Sequence, residues 1–261
     1  MKLALITLLV SGCMVGEEYI PDQSSNNSDP RSLRPVPTNG LVLDANLAAK
    51  LPTTALGARG ADDKLVLDAT AAGTFAAPAG HSLLKYVATC ALSDGDELVV
   101  GADRFPGFYG LAPEWATGSC GPQCQRWVSA CLLAHVNARG TPYPISLRGD
   151  HHGLRTTPAA AQEFTQQEAA FYGNVFQRQA HACWASPGDN DQRLTGRVCG
   201  QIDGGCGFVI TGACTGDLLT EACEQPAPDG GGFADCHTGK FTEYPRSSPI
   251  VHEVVTVYLR P

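Results

Sequence analysis

Apolar and polar residues alternate in two near-identical segments early in the chain, "NGLVLDAN" (39–46) and "DKLVLDAT" (63–70), which share Leu-Val-Leu-Asp-Ala 24 residues apart. Alternation of this kind predicts a strand at each site. Two copies are too few for a repeat array, where at least three units normally stack. The spacing changes in "AGHSLLKYVATCAL" (79–92), where Leu83, Leu84, Val87, Cys90 and Ala91 share one helical face, with Gly95 as the stop. "ELVVGA" (97–102) then predicts a strand, and "FPGFYGLAPEW" (105–115) a glycine-broken aromatic loop. The strongest helical pattern runs from Ser119 to Gly140, with Pro122 in the first turn and Pro142 beyond the glycine stop. Its Cys124, Val128, Cys131 and His135 share a face, and Val128, Cys131 and Ala134 are predicted to meet the core.

"PYPISLRG" (142–149) predicts a strand, and "TTPAAAQEFTQQEAAFYGNVF" (156–176) two helices. Thr157-Pro158 opens the first, and the capping box Thr165-x-x-Glu168 opens the second. "GFVIT" (207–211) is the clear strand of the cysteine-rich part. "IVHEVVTVYLRP" (250–261) is β-branched and apolar on both faces after His252-Glu253, the mark of a central strand. Helices among isolated strands predict an α+β fold: one loop-rich, disulfide-braced domain over 40–261 with a mixed or antiparallel sheet.

The first residues have a different pattern. Lys2 precedes the apolar run "LALITLLV" (3–10), which is too short to cross a bilayer at about 20 residues and has the layout of a secretory signal peptide. Its end, Val10-Ser11-Gly12-Cys13, resembles the lipobox of bacterial lipoproteins. The resemblance implies removal of residues 1–12 and a membrane anchor through lipid on Cys13. Met14 stands where an inner-membrane retention aspartate would, so the resemblance favours the outer membrane of the cell envelope. Residues 14–39 are rich in Pro, Ser, Asn and Asp and cannot bury enough apolar surface to offset ordering, so 13–39 is predicted to be a lipidated cysteine on a flexible tether.

Composition narrows the partners. The formal charge is −8, or −9 without Lys2, and no basic stripe occurs, which argues against nucleic acid and against adhesion to anionic headgroups. A protein or glycan partner remains open. Of 11 cysteines, Cys13 is assigned to lipid, leaving Cys90, Cys120, Cys124, Cys131, Cys183, Cys199, Cys206, Cys214, Cys223 and Cys236. An even number in an exported chain predicts disulfides. Connectivity does not follow from spacing, although local pairs such as Cys206 with Cys214 and Cys223 with Cys236 suit their surroundings.

The candidate chemistry is sparse. Cys120-Gly-Pro-Gln-Cys124 resembles the thioredoxin redox motif with one residue inserted, but a glycine-rich loop precedes it in place of a βαβ opening. The same run faintly resembles the start of the papain-type nucleophile helix, with Trp127 displaced and His181 and His237 unmarked downstream. Both motifs read more simply as architecture, with Cys131 bridged and His135 packed. "RGDHHGLR" (148–155) places Asp150, His151 and His152 in the loop ending a strand, which makes them the catalytic or metal candidates. Adjacent histidines on extended chain diverge, and none of the zinc-protein spacings appears, so no metal and no cofactor is predicted. There is no Gly-x-Ser-x-Gly, and Glu163, Glu168 and Asp150 are conceivable glycosidase carboxylates without a spacing rule to select them.

"QRWVSACLLAHVNARGTPYPISLRG", "EAAFYGNVF" and the closing "VVTVYLRP" resemble a group of exported bacterial proteins of unassigned function, over most of residues 80–261. The resemblance implies a cysteine-braced domain behind a signal peptide and carries over no functional residue. The expectation is a non-catalytic binding or structural module. The alternative is a surface hydrolase of envelope or extracellular polymers working through 105–115 and 148–155.

Overall fold

What the two Leu-Val-Leu-Asp-Ala segments have in common is the use of their aspartate. The computed structural model describes residues 37–137, 142–185, 197, 207–215, 222–224, 231–239 and 248–261. Cys13, the tether to residue 36, Cys199 and Cys206 lie outside these residues. In the first copy Leu41 makes only an isolated bridge to Val136, and Asp44 accepts from the backbone N–H of Asn46 and Leu47 to cap helix α1, Ala45–Ala48. The predicted strand over 39–46 is therefore absent. Leu41 instead lies beside the chain leaving the main helix, its N–H on His135 O and its carbonyl taken by Asn137 N–H. In the second copy Leu65–Leu67 is a strand, β2, paired with β1, Gly57–Arg59, and Asp68 caps α2, Ala69–Thr74, in the same way. Each aspartate satisfies two of the N–H groups that a helix start leaves open.

Helix α3, Pro78–Ala91, buries the predicted face, and Gly95 takes φ +97° in the turn that follows. Strand β3, Glu97–Val100, pairs parallel with β2 and antiparallel with β4, Asp103–Pro106. The parallel pair needs a crossover, which α2 and α3 supply. Helix α4, Pro122–Ala134, has Pro122 at its start as predicted but ends well before Gly140. His135 closes it, and the chain turns at once to meet Leu41, while the Arg197 guanidinium donates to the carbonyls of Ala134 and Val136.

After β5, Ser146–Arg148, the predicted first helix forms as α5, Pro158–Glu163, capped by Thr157. The predicted second helix is instead the longest strand, β6, Gln166–Asn174. Ala169 and Phe171 enter one core, and Ala170 and Tyr172 the other. A run apolar on all sides reads alike as buried helix or buried strand, so the local cap pattern misled. Glu168, the proposed cap residue, is fully buried against Arg197. The remaining strands are β7, Gln179–Trp184; β8, Val209–Ala213; β9, Cys223–Glu224; β10, Ala234–His237; β11, Ile250–Val251; and β12, Val255–Leu259.

A five-stranded sheet of order β5-β12-β6-β7-β8 organises the rest, with β7 and β8 parallel and the other pairs antiparallel. As its composition predicted, β12 is interior: Val255 faces Phe171, and Val257 faces Ala169 and Leu147. One face carries α4, with α3 packed on α4. The other carries the small sheet β11-β10-β9, enclosing Tyr172, Cys183, Cys214, Phe233, Cys236 and Val254. The result is a disulfide-rich α+β domain, and no helix among the described residues is long and apolar enough to cross a membrane.

Four disulfides occur among the described residues. Cys90–Cys131 joins α3 to α4, and Cys120–Cys124 staples the preceding loop to the first turn of α4. Cys223–Cys236 forms as expected. Cys214 bonds Cys183, so the suggested Cys206–Cys214 pair does not form; parallel pairing of β7 and β8 brings Cys183 and Cys214 together across 31 residues. Cys183 Sγ lies 3.3 Å from Cys223 Sγ, so two bridges stack between the sheets.

Candidate functional site

The loop leaving β5 is held by close backbone approaches. A Cβ on Gly149 would fall 2.5 Å from Val254 O, and one on Gly153 would fall 2.0 Å from Tyr109 O. Only glycine lets the loop lie this close to β12 and to the aromatic loop. The two loops singled out in the sequence thus touch, at Tyr109 and Gly153. Between the glycines, His151 Nδ1 accepts from Gly153 N–H at 3.0 Å and caps a single 3-10 turn, His152–Leu154.

This hydrogen bond fixes the chemistry of His151. Its Nδ1 lone pair is occupied, so the neutral ring carries its proton on Nε2 and can only donate there. The ring stands edge to face with Trp127, centroids 5.0 Å apart, and 4.3 Å from the His152 ring. Burial, aided by the neighbouring His152 charge and opposed by Asp150, lowers its pKa to about 4, so it is neutral at pH 7. Neither a metal nor a transferable proton finds a lone pair at Nε2 in this state.

Arg148 carries the other distinctive feature. It is the last residue of β5 and only 8% exposed. Its Nη2 donates to Phe164 O at 2.6 Å, and its guanidinium lies 3.7 Å over the Tyr258 ring, diagonally across β12. Its Nε is buried with no hydrogen-bond partner, and no carboxylate pairs with it among the described residues. Burial lowers the pKa of Arg148 and raises that of Tyr258.

Arg148, Asp150, His151, His152 and Arg155 line a cleft of about 340 Å³, together with Gly231. Asp150, His152 and Arg155 are exposed. Arg155, like Arg148, has no ion-pair partner among the described residues, and Asp150 is the one carboxylate of the lining. The predicted trio of Asp150, His151 and His152 does come together. Sequence reading missed the two arginines; the available signal for Arg148 was a charged residue ending the largely apolar strand segment "PYPISLR".

The other candidates resolve into architecture. Cys120 and Cys124 are bonded to each other and Cys131 to Cys90, so none offers a thiolate. His135 is fully buried among Tyr86 and Tyr109, donates from Nδ1 to Cys131 O at 2.8 Å, and has its pKa lowered to about 4 by burial. Among the described residues two groups of side chains converge closely enough for a metal, Cys90/Cys131/His135 and Cys183/Cys223/Cys236, but every sulfur in them is in a disulfide. Tyr109 and Trp115 of the aromatic loop are buried, and Trp115 Nε1 donates to Pro52 O and Thr54 O, so these rings pin the loop and form no platform. Glu163 pairs with Arg260 at the surface, and Glu168 with buried Arg197; neither meets Asp150.

A second groove of about 580 Å³ runs past Arg126, His181, His252 and Glu253. There the polar groups already have partners: Arg126 grips Glu253 through two hydrogen bonds, and His252 meets Asp235 at 2.5 Å. The first cleft differs in holding two arginines with no ion-pair partner among the described residues.

Comparison with known proteins gives no match to a family model, to a curated protein or to a solved structure.

Proposed function

We propose that the chain is a lipid-anchored binding module of the cell envelope, held through Cys13 and the tether behind it, which engages its ligand in the 148–156 cleft without transforming it. The observation that carries this reading is the fixed state of His151. A hydrolase built on this loop needs an imidazole lone pair or a second carboxylate to move a proton. His151 directs its lone pair into its own loop, which leaves the exposed His152 and the one carboxylate of the described lining, Asp150, as the groups that could move a proton. A neutral donor imidazole flanked by arginines suits recognition instead. The disulfides accord with an oxidising address outside the cytoplasm, and the Val-Ser-Gly-Cys sequence supports lipidation, with the outer membrane favoured by Met14.

Two measurements test the two halves. Radiolabelled palmitate should enter the full chain expressed in a bacterial host, and Cys13→Ser should abolish both labelling and partition into detergent. For the cleft, the domain should retain an envelope or extracellular polymer on a column without releasing soluble fragments. Fragment release that disappears in Asp150→Asn or His151→Asn would establish the hydrolase and end the binding reading.

A further inference from the structure

We propose that the 148–155 cleft is an oxyanion site, and that the ligand presents a carboxylate or phosphate group to Arg148, His151 and Arg155. This rests on the binding reading above and names the chemistry that the cleft recognises.

The argument starts from Arg148. A buried guanidinium normally has a carboxylate beside it, because desolvating an unpaired charge is expensive. The chain follows this rule elsewhere: fully buried Arg197 is gripped by Glu168, and partly buried Arg126 by Glu253. Arg148 departs from it. One carbonyl and the ring and hydroxyl of Tyr258 take up part of its guanidinium, and its Nε–H has no hydrogen-bond partner among the described residues. A donor-only side chain in this state lacks an acceptor, preferably an anionic one.

The neighbours supply the same kind of group. His151 offers Nε2–H, exposed Arg155 offers a guanidinium with no ion-pair partner among the described residues, and His152 stands beside them. Two arginines against one aspartate make the cleft locally positive in a chain of net charge −8, which favours entry of an anion here over the rest of the surface. The glycines that press the loop onto Val254 and Tyr109 hold these donors in place before a ligand arrives, which reduces the ordering cost of binding. A volume of about 340 Å³ suits a small group or the end of a longer ligand. Arginine has no lone pair to give and that of His151 is taken, so only Asp150 and His152 of the described lining could ligate a metal ion, and an oxyanion suits the donors better.

The test uses the full chain with ¹⁵N-labelled arginine, titrated with inorganic phosphate or with acetate and followed at the Arg148 Nε–H resonance. Sodium chloride at matched ionic strength is the control. The expected result is a saturable shift with one or both oxyanions and none with chloride; the stronger ion identifies the group as phosphate or carboxylate. Arg155→Gln, at an exposed position, should weaken binding by about two- to fivefold, the scale of a rim ion pair, with the circular dichroism spectrum and melting temperature unchanged. Arg148→Met should abolish the response, and the Arg155 variant keeps the test decisive if Arg148→Met fails to fold. No saturable shift with either oxyanion overturns the inference. If a neutral glycan fragment then shifts the cleft resonances, the binding reading survives without the oxyanion. If the cleft turns over a polymer, both fall together.

Discussion

The two disulfides that meet α4 make a controlled comparison. Cys90–Cys131 closes a separation of 41 residues and Cys120–Cys124 one of 4. If a bridge acts chiefly by restricting the unfolded chain, its contribution grows with the logarithm of loop length. That gives about 4 kcal/mol for the long loop and about 2 kcal/mol for the short one at 25 °C. Packing adds in the same direction, because Cys90 and Cys131 are fully buried while Cys120 and Cys124 keep a few per cent of their surface. The double substitutions Cys90→Ala/Cys131→Ala and Cys120→Ala/Cys124→Ala should therefore differ by about 2 kcal/mol or more. Equilibrium guanidinium unfolding of the oxidised proteins measures this directly. The long-loop variant should also show the steeper denaturant dependence, since its unfolded state exposes more surface. If the short-loop pair costs as much as the long one, the stabilisation does not come from chain restriction, and a local role for Cys120–Cys124 at the start of α4 must replace it.

Three further outcomes follow from single contacts. Glu168→Gln leaves the Arg197 guanidinium buried without its anion and should cost about 3–5 kcal/mol in urea unfolding; Glu168→Leu/Arg197→Met should recover only part of that, because Ala134 O and Val136 O lose their donor, and full recovery would refute the capping role. The pKa of His135 falls from 6.5 unfolded to about 4 folded, so the unfolded chain protonates first as pH drops. The His135 contribution is complete above pH 6.5 and is lost at up to about 1.4 kcal/mol per pH unit down toward pH 4; His135→Gln should flatten this acid limb, and an unchanged slope contradicts the burial argument. Gly153→Ala forces a Cβ onto Tyr109 O and should displace the loop, seen as a raised pKa of His151 in histidine NMR titration once Nδ1 loses its Gly153 partner and the ring meets water; an unmoved His151 pKa would show that the loop is not held there.

The parts of the fold that the sequence reveals are those governed by near neighbours. The buried face of α3, the proline start of α4, the threonine cap of α5 and the apolar interior strand β12 all follow from local pattern. The failures share a cause at long range. Strand β6 was read as helix because "EAAFYGNVF" is apolar all round, and only the neighbours β12 and β7 decide between the two. Helix α4 stops early because Leu41 and Arg197, far away in sequence, take the groups that another turn would have used. At the site, Asp150, His151 and His152 were visible as a polar cluster at a strand end. The state of His151 was not, since it depends on one hydrogen bond to Gly153. Nor was the isolation of Arg148, which is a matter of what does not lie beside it.

The position of β12 bears on the timing of folding. Residues 255–259 fill the slot between β5 and β6, which are made some 80 to 110 residues earlier. During synthesis both earlier strands must wait with an open edge, so the large sheet cannot close until residues 255–259 have emerged. Such long-range pairing makes for slow folding. The sequence thus postpones closure of its own large sheet until β12 has been made.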